Sequence, residues 1–131
     1  ESYYSNVGRV LEVTGADIVG HFDLVTKFNE GGAFFDETHP RYRAAWQQAA
    51  DRLLKYGRPF EINTGAVSRG YRTLPYPSPE IIDYLGARGA RFILSSDSHR
   101  ADTLCFRFRE CLELVEALGL NLCSTPFLPT P

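Results

Sequence analysis

Methionine is absent from all 131 residues, and the chain opens on Glu1. A natural full-length product starts with methionine, so we expect a piece of a longer polypeptide. Long apolar runs are absent too. Nothing approaches the roughly 20 residues that a helix needs to cross a bilayer, so no membrane partner is expected. Excess charge is also missing: a net charge of −2 offers no electrostatic case for nucleic acid or an anionic membrane surface. Cysteine is scarce, and the three present (Cys105, Cys111 and Cys123) are an odd number without C-x-x-C spacing. They read as reduced thiols of a cytoplasmic protein, with Cys105 and Cys111 in apolar helical surroundings.

What is present is the make-up of a globular domain. Hydrophobic residues are 44% and charged residues 23%, enough for one domain, or a piece of one, over 1–131 to bury a real core. Tyr3, Val7, Val10 and Leu11 recur at helical spacing over 2–13, and Gly15 suits a helix stop. Residues 17–21 read as a short strand ending in His21, followed by a long loop over 22–38. The spacing predicts the clearest helix over 39–56, with Thr38 as N-cap and Pro40 in the first turn. Its apolar face is Tyr42, Trp46, Ala49, Ala50 and Leu53. A second strand follows at 59–63, then a loop over 64–77. Ser78-Pro79-Glu80 opens a helix that stops near Gly89, and a third strand covers 91–96. A last helix over 107–118 turns Phe108, Cys111, Leu112, Val115 and Leu118 inward. Residues 120–122 add a short fourth strand, and the proline-rich tail 124–131 is irregular. Strands alternating with helices define an α/β chain of parallel β/α units, forming either a small open sheet or part of a larger barrel.

The polar residues of interest sit at strand ends. Asp97-Ser98-His99 follows a buried strand, and a carboxylate and an imidazole two residues apart suit divalent zinc, manganese or iron. The same pair also reads as a plain turn, with Asp97 capping the next segment and His99 solvated. His21 ends the first strand, and Glu61 and Asn63 lie at the second. In parallel β/α proteins the C-terminal strand ends share one edge, where sites are built. His21 and His99 with one to three oxygen ligands from Asp97, Glu61 and Asn63 on that edge would be a minimal metal site. Each polar residue has a structural alternative. His21 and Asp23 would form a surface hydrogen-bonded pair. Glu61 would face solvent, or orient a ligand histidine from one shell out. Asn63-Thr64-Gly65 would be a turn without chemistry. His39, heading a helix, is given a structural or solvated role. Lys27, Arg69 and Arg72 lie in the loops above this edge. Such cations suit an anionic substrate, phosphate being the commonest, or are ordinary solvated surface charges.

Four segments occur in one order: Gly20-His21-Phe22-Asp23, Phe60-Glu61-Ile62-Asn63-Thr64-Gly65, Tyr76-Pro77-Ser78-Pro79-Glu80 and Ser96-Asp97-Ser98-His99. Together, over about residues 2–120, they resemble the C-terminal half of a histidinol-phosphatase of the polymerase and histidinol phosphatase (PHP) family. The resemblance implies part of a distorted (β/α)7-type barrel with a cluster of divalent ions at its C-terminal strand ends. It implies a small phosphorylated substrate, L-histidinol phosphate, hydrolysed to histidinol and phosphate in histidine biosynthesis. Carried over by position, His21, Asp97 and His99 would be metal ligands, with Asp97 and His99 also catalytic. Lys27 and Arg69 would contact the substrate phosphate, and Glu61 and Asn63 would support the site. The family's N-terminal H-x-H motif does not occur anywhere in these residues. We therefore expect partial or no metal occupancy, little or no activity from this chain alone, and either a homodimer covering the open half-barrel or origin from a proteolysed parent. A PHP-type phosphoesterase acting on another small ester or on nucleotides, or a non-enzymatic β/α binding domain, are the alternative readings.

Overall fold

Phe60–Asn63 form the first strand, β1, of the computed structural model, which describes residues 2–123, and all four of its residues are buried. β1 pairs in parallel with β2 (Arg91–Ser95), and β2 in parallel with β3 (Asn121–Leu122), giving the order β1-β2-β3. On the other side of β1, Val19 bridges Phe60, again in parallel. The register sets Phe60 beside Phe92 and Asn63 beside Ser95, so the C-terminal ends of β1 and β2 lie level. A parallel strand covered on both faces is buried throughout rather than at alternate residues. That corrects one reading of Glu61: the residue is only 8% exposed and its side chain does not face solvent.

Six α-helices accompany the sheet among the described residues: α1 (Ser2–Val7), α2 (Val10–Thr14), α3 (Pro40–Leu54), α4 (Gly65–Ser68), α5 (Pro79–Gly86) and α6 (Phe108–Ala117). With its parallel strands the chain is mixed α/β, as the alternating pattern implies. The helix expected over 2–13 is two pieces. Gly8 weakens helix continuation, and Arg9 N–H donates to Asn6 O at 3.0 Å, three residues back, before α2 starts at Val10. Gly8 also lies close to α3, where an added Cβ would sit 3.1 Å from Ala49 Cα. The strand expected at 17–21 shrinks to the Val19 bridge, because His21 turns into left-handed backbone at φ 49°.

α3 starts one residue later than expected. Thr38 spends both its N–H and its hydroxyl on Asp36 Oδ1, at 2.8 and 2.6 Å. His39 becomes the N-cap instead, its Nδ1 accepting from Arg41 N–H at 3.1 Å ahead of Pro40. This is a structural role for His39. The loop expected over 64–77 contains α4, which is too short for periodicity to reveal. On α6 the inward face is Cys111 and Val115, with Leu114 packed against the core. Leu112 and Leu118 are exposed, contrary to the expected face, and Phe108 is half-buried. Cys105 also departs from expectation: it is exposed, in a turn with φ 56°, whereas Cys111 is buried, and all three thiols are free.

Phe22, Trp46, Phe60, Ile62, Ile82, Leu85 and Phe92 make the centre of the core. Phe22 meets Phe60 edge to face at 5.8 Å, and Trp46 meets Tyr84 in the same way at 4.9 Å. This core fixes the strand ends that carry the polar residues. Among the described residues no helix is long and apolar enough to cross a membrane. The irregular tail expected at 124–131 lies outside the described residues.

Candidate metal and phosphate site

The polar strand ends gather at one cleft of about 500 Å³, within the range that holds small ligands. His21, Lys27, Arg69, Asp97 and His99 all line it. His21 arrives just beyond the Val19 bridge, and Asp97 and His99 just beyond β2. Two of these residues have backbone that favours glycine: His21 at φ 49° and Asp97 at φ 43°. Left-handed backbone costs an L-residue about 1–2 kcal/mol, and such strain gathers where surrounding contacts overrule it, often at functional sites. Here the contacts are visible. Glu61 Oε2 accepts from His21 N–H at 3.0 Å, and Ser95 Oγ accepts from Asp97 N–H at 3.2 Å.

His21 is held from three directions. Nδ1 lies 3.3 Å from Glu61 Oε2, while Nε2 lies 3.2 Å from Asn63 Nδ2 and 3.3 Å from Asp97 Oδ2. Gly65 N–H donates to Asn63 Oδ1 at 2.8 Å, which turns the amide nitrogen of Asn63 toward the imidazole. Nε2 therefore faces a donor and an acceptor at nearly equal distance, and one ring nitrogen satisfies only one of them. With Nδ1–H directed at Glu61, the Nε2 lone pair points at the Asp97 carboxylate. A cation between them would resolve that mismatch. The carboxylate behind Nδ1 is also the arrangement that orients ligand histidines.

Asp97 is shared. Arg69 donates through Nη1 to its carbonyl oxygen at 2.8 Å and through Nη2 to Oδ2 at 2.7 Å. Partial burial pushes the Asp97 carboxyl up, but its polar contacts, Arg69 first among them, outweigh this and hold it below the usual carboxylate range. His99 approaches the other oxygen, Oδ1, more loosely at 3.6 Å, with its side chain 72% exposed. The donor chemistry of two imidazoles and a carboxylate fits zinc, manganese or iron. The positions stop short of a closed site: among the described residues no three His, Cys, Asp or Glu side chains are arranged to hold a metal ion.

Three residues sit differently from the sequence reading. Asp23 is fully buried and so forms no surface pair with His21. Its Oδ2 accepts from Ser78 N–H at 2.9 Å. Arg72 is buried too, donating to Thr26 Oγ1 and lying 3.9 Å from Asp23 Oδ2, so it holds the loops together beneath the cleft. Lys27 does reach the cleft, but its Nζ lies over the rings of Tyr71 and Phe28, at 4.7 and 5.2 Å from their centres. Tyr71 and Tyr76 also line the cleft, with Tyr76 6.1 Å from the His21 ring. Neither stands out by residue type, although Tyr71 lies between Arg69 and Arg72 and Tyr76 opens the third motif.

The fold and the cleft define an α/β domain with a polar pocket at the C-terminal ends of a parallel sheet. No known family model matches the chain. Its curated relatives are more particular. A probable histidinol-phosphatase of Schizosaccharomyces pombe is 29% identical over 110 residues, which is 81% of this chain and 35% of that protein. A probable histidinol-phosphatase of Deinococcus radiodurans is 26% identical over 117 residues, 89% of this chain and 42% of that protein. The chain is thus similar in sequence to histidinol-phosphatases while spanning under half the length of either relative.

Proposed function

We propose that the chain carries part of the active site of a metal-dependent phosphomonoester hydrolase resembling histidinol-phosphatase, within a larger PHP-type barrel. The substrate of the whole protein would be L-histidinol phosphate. The observation that carries the reading is the meeting of His21 Nε2 and the Asp97 carboxylate at 3.3 Å beside Arg69. The names of the two relatives support the same activity.

His21, Asp97 and His99 would contribute part of the metal's ligand set. A divalent ion held there would supply Lewis acidity toward water and toward the phosphoryl oxygens. Glu61 keeps the His21 ring turned with Nε2 toward the cleft. Arg69 offers a planar fork that suits two phosphoryl oxygens, and it would exchange its Asp97 carboxylate contact for them as substrate enters. Lys27 takes a further non-bridging oxygen. Water would add to phosphorus as the ester P–O bond breaks, and Asp97 or His99 would take the proton that water loses and hand it to the departing alkoxide. His99 is exposed and loosely held, which suits a group that must meet a leaving oxygen. The chain alone is expected to turn over slowly or not at all, since it contains no H-x-H donors.

Metal uptake is the direct test. Titration of manganese or zinc into the chain, followed by calorimetry, is expected to give weak binding that the double variant His21→Ala, His99→Ala loses. Uptake unchanged in the double variant removes the site from these residues.

A further inference from the structure

Lys27 is the cleft cation with an unmet charge. Arg69 is engaged by Asp97, and Arg72 is buried against Thr26 and Asp23. Lys27 has no carboxylate partner among the described residues, only two ring faces. Those rings meet edge to face at 5.4 Å. Phe28 is 59% exposed and Tyr71 41%, so burial does not explain their positions. The backbone beneath them is fastened instead. Thr73 N–H donates to Glu30 Oε1 at 3.1 Å, and Arg72 reaches Thr26. Three consecutive residues, 71–73, therefore grip the 26–30 loop, and the first of them caps the lysine.

We propose that Tyr71 and Phe28 are positioning residues that hold the Lys27 ammonium at the cleft for the phosphoryl group of an anionic ester. The inference rests on the phosphoesterase reading of the cleft. A carboxylate partner would fix the lysine but cancel its charge. Ring faces attract the cation and restrict its long stem while leaving a net positive charge free to meet an anion. The ammonium is thereby placed before the ligand arrives, which reduces the ordering required on binding.

The test uses the full chain and inorganic phosphate as probe, with the side-chain Cε–Hε signals of Lys27 followed by NMR. Ring currents are expected to shift these signals upfield in the wild type and in Tyr71→Phe, and the shift is expected to shrink in Tyr71→Leu and Phe28→Leu. Phosphate affinity is expected to fall roughly three- to tenfold in Tyr71→Leu and to be restored in Tyr71→Phe. Both positions are exposed, so the fold tolerates the changes, which the emission of buried Trp46 verifies. Weakened binding in Lys27→Ala with wild-type affinity in Tyr71→Leu overturns this inference and leaves the phosphate site standing. A wild-type chain that takes no phosphate, or one whose affinity is unmoved by both Lys27→Ala and Arg69→Ala, overturns the phosphate reading itself.

Discussion

At the Asn63–Gly65 turn the backbone passes so close to Asp97 that a methyl group on Gly65 would lie 2.8 Å from Asp97 Cβ and 2.9 Å from its Oδ2. The same methyl would sit 2.8 Å from Arg69 Nη2. Arg69 can swing away, but Asp97 Cβ is tied to a backbone already in left-handed conformation, so the clash must be relieved by moving the site. Gly65→Ala is expected to lower stability by about 1–3 kcal/mol and to disturb the Arg69–Asp97 pair. Urea denaturation measures the first effect, and loss of metal or phosphate affinity reads the second. A variant as stable as the wild type would show that this close approach is not maintained. Residue types and positions along the chain are enough to pick out His21, Asp97 and Arg69. They do not disclose Gly65's steric role, which exists only because Asp97 folds back over the turn from 32 positions away.

Between elements, the two long loops are fastened to each other as well as to the sheet. Glu30 illustrates how. Its carboxylate accepts from the Thr73 hydroxyl and from Thr73 N–H, and these bonds hold its carboxyl below the usual range. Unfolded, Glu30 titrates at its ordinary value, so the unfolded chain binds the proton more readily. The tie thus contributes stability above the ordinary carboxylate range and loses it as pH falls through the lowered value. Thr73→Val is expected to melt slightly below the wild type near neutral pH, with the gap closing below about pH 4. A gap that stays constant through acid would mean that Glu30 is not its source. Long loops in the sequence point to function by their length. Which residues pair across them is not legible there, because Glu30 and Thr73 are 43 residues apart and carry no periodic signal.

For the whole molecule, the core decides whether the cleft exists at all. Leu85 on α5 is fully buried among Ile81, Ile82 and Phe92 in the hydrophobic cluster. Leu85→Ala is expected to cost about 2–5 kcal/mol, a large share of the roughly 5–15 kcal/mol that stabilises a domain. Trp46, the only tryptophan, is buried, so its emission reports the loss. A midpoint shift equivalent to well under 1 kcal/mol would show that α5 is not part of the cooperative core. The α3 face is legible in residue spacing alone, and Trp46, Ala49, Ala50 and Leu53 are all buried. The α6 face is not. Its helix packs one side only, so a helical spacing that admits Leu112 and Leu118 does not decide which stripe meets the sheet.

The sequence by itself determined the alternation of helices and strands, the apolar stripe of α3, the placement of polar residues at strand ends and the likeness to histidinol-phosphatases. All of these depend on spacing and order along the chain. Tertiary structure alone decided that Glu61 is buried behind His21, that Asp23 and Arg72 lie beneath the cleft, and that Lys27 rests between two aromatic rings. Those outcomes depend on which surfaces meet in space. Burial and pairing energies are set by neighbours up to 76 residues away, and local pattern carries no record of them.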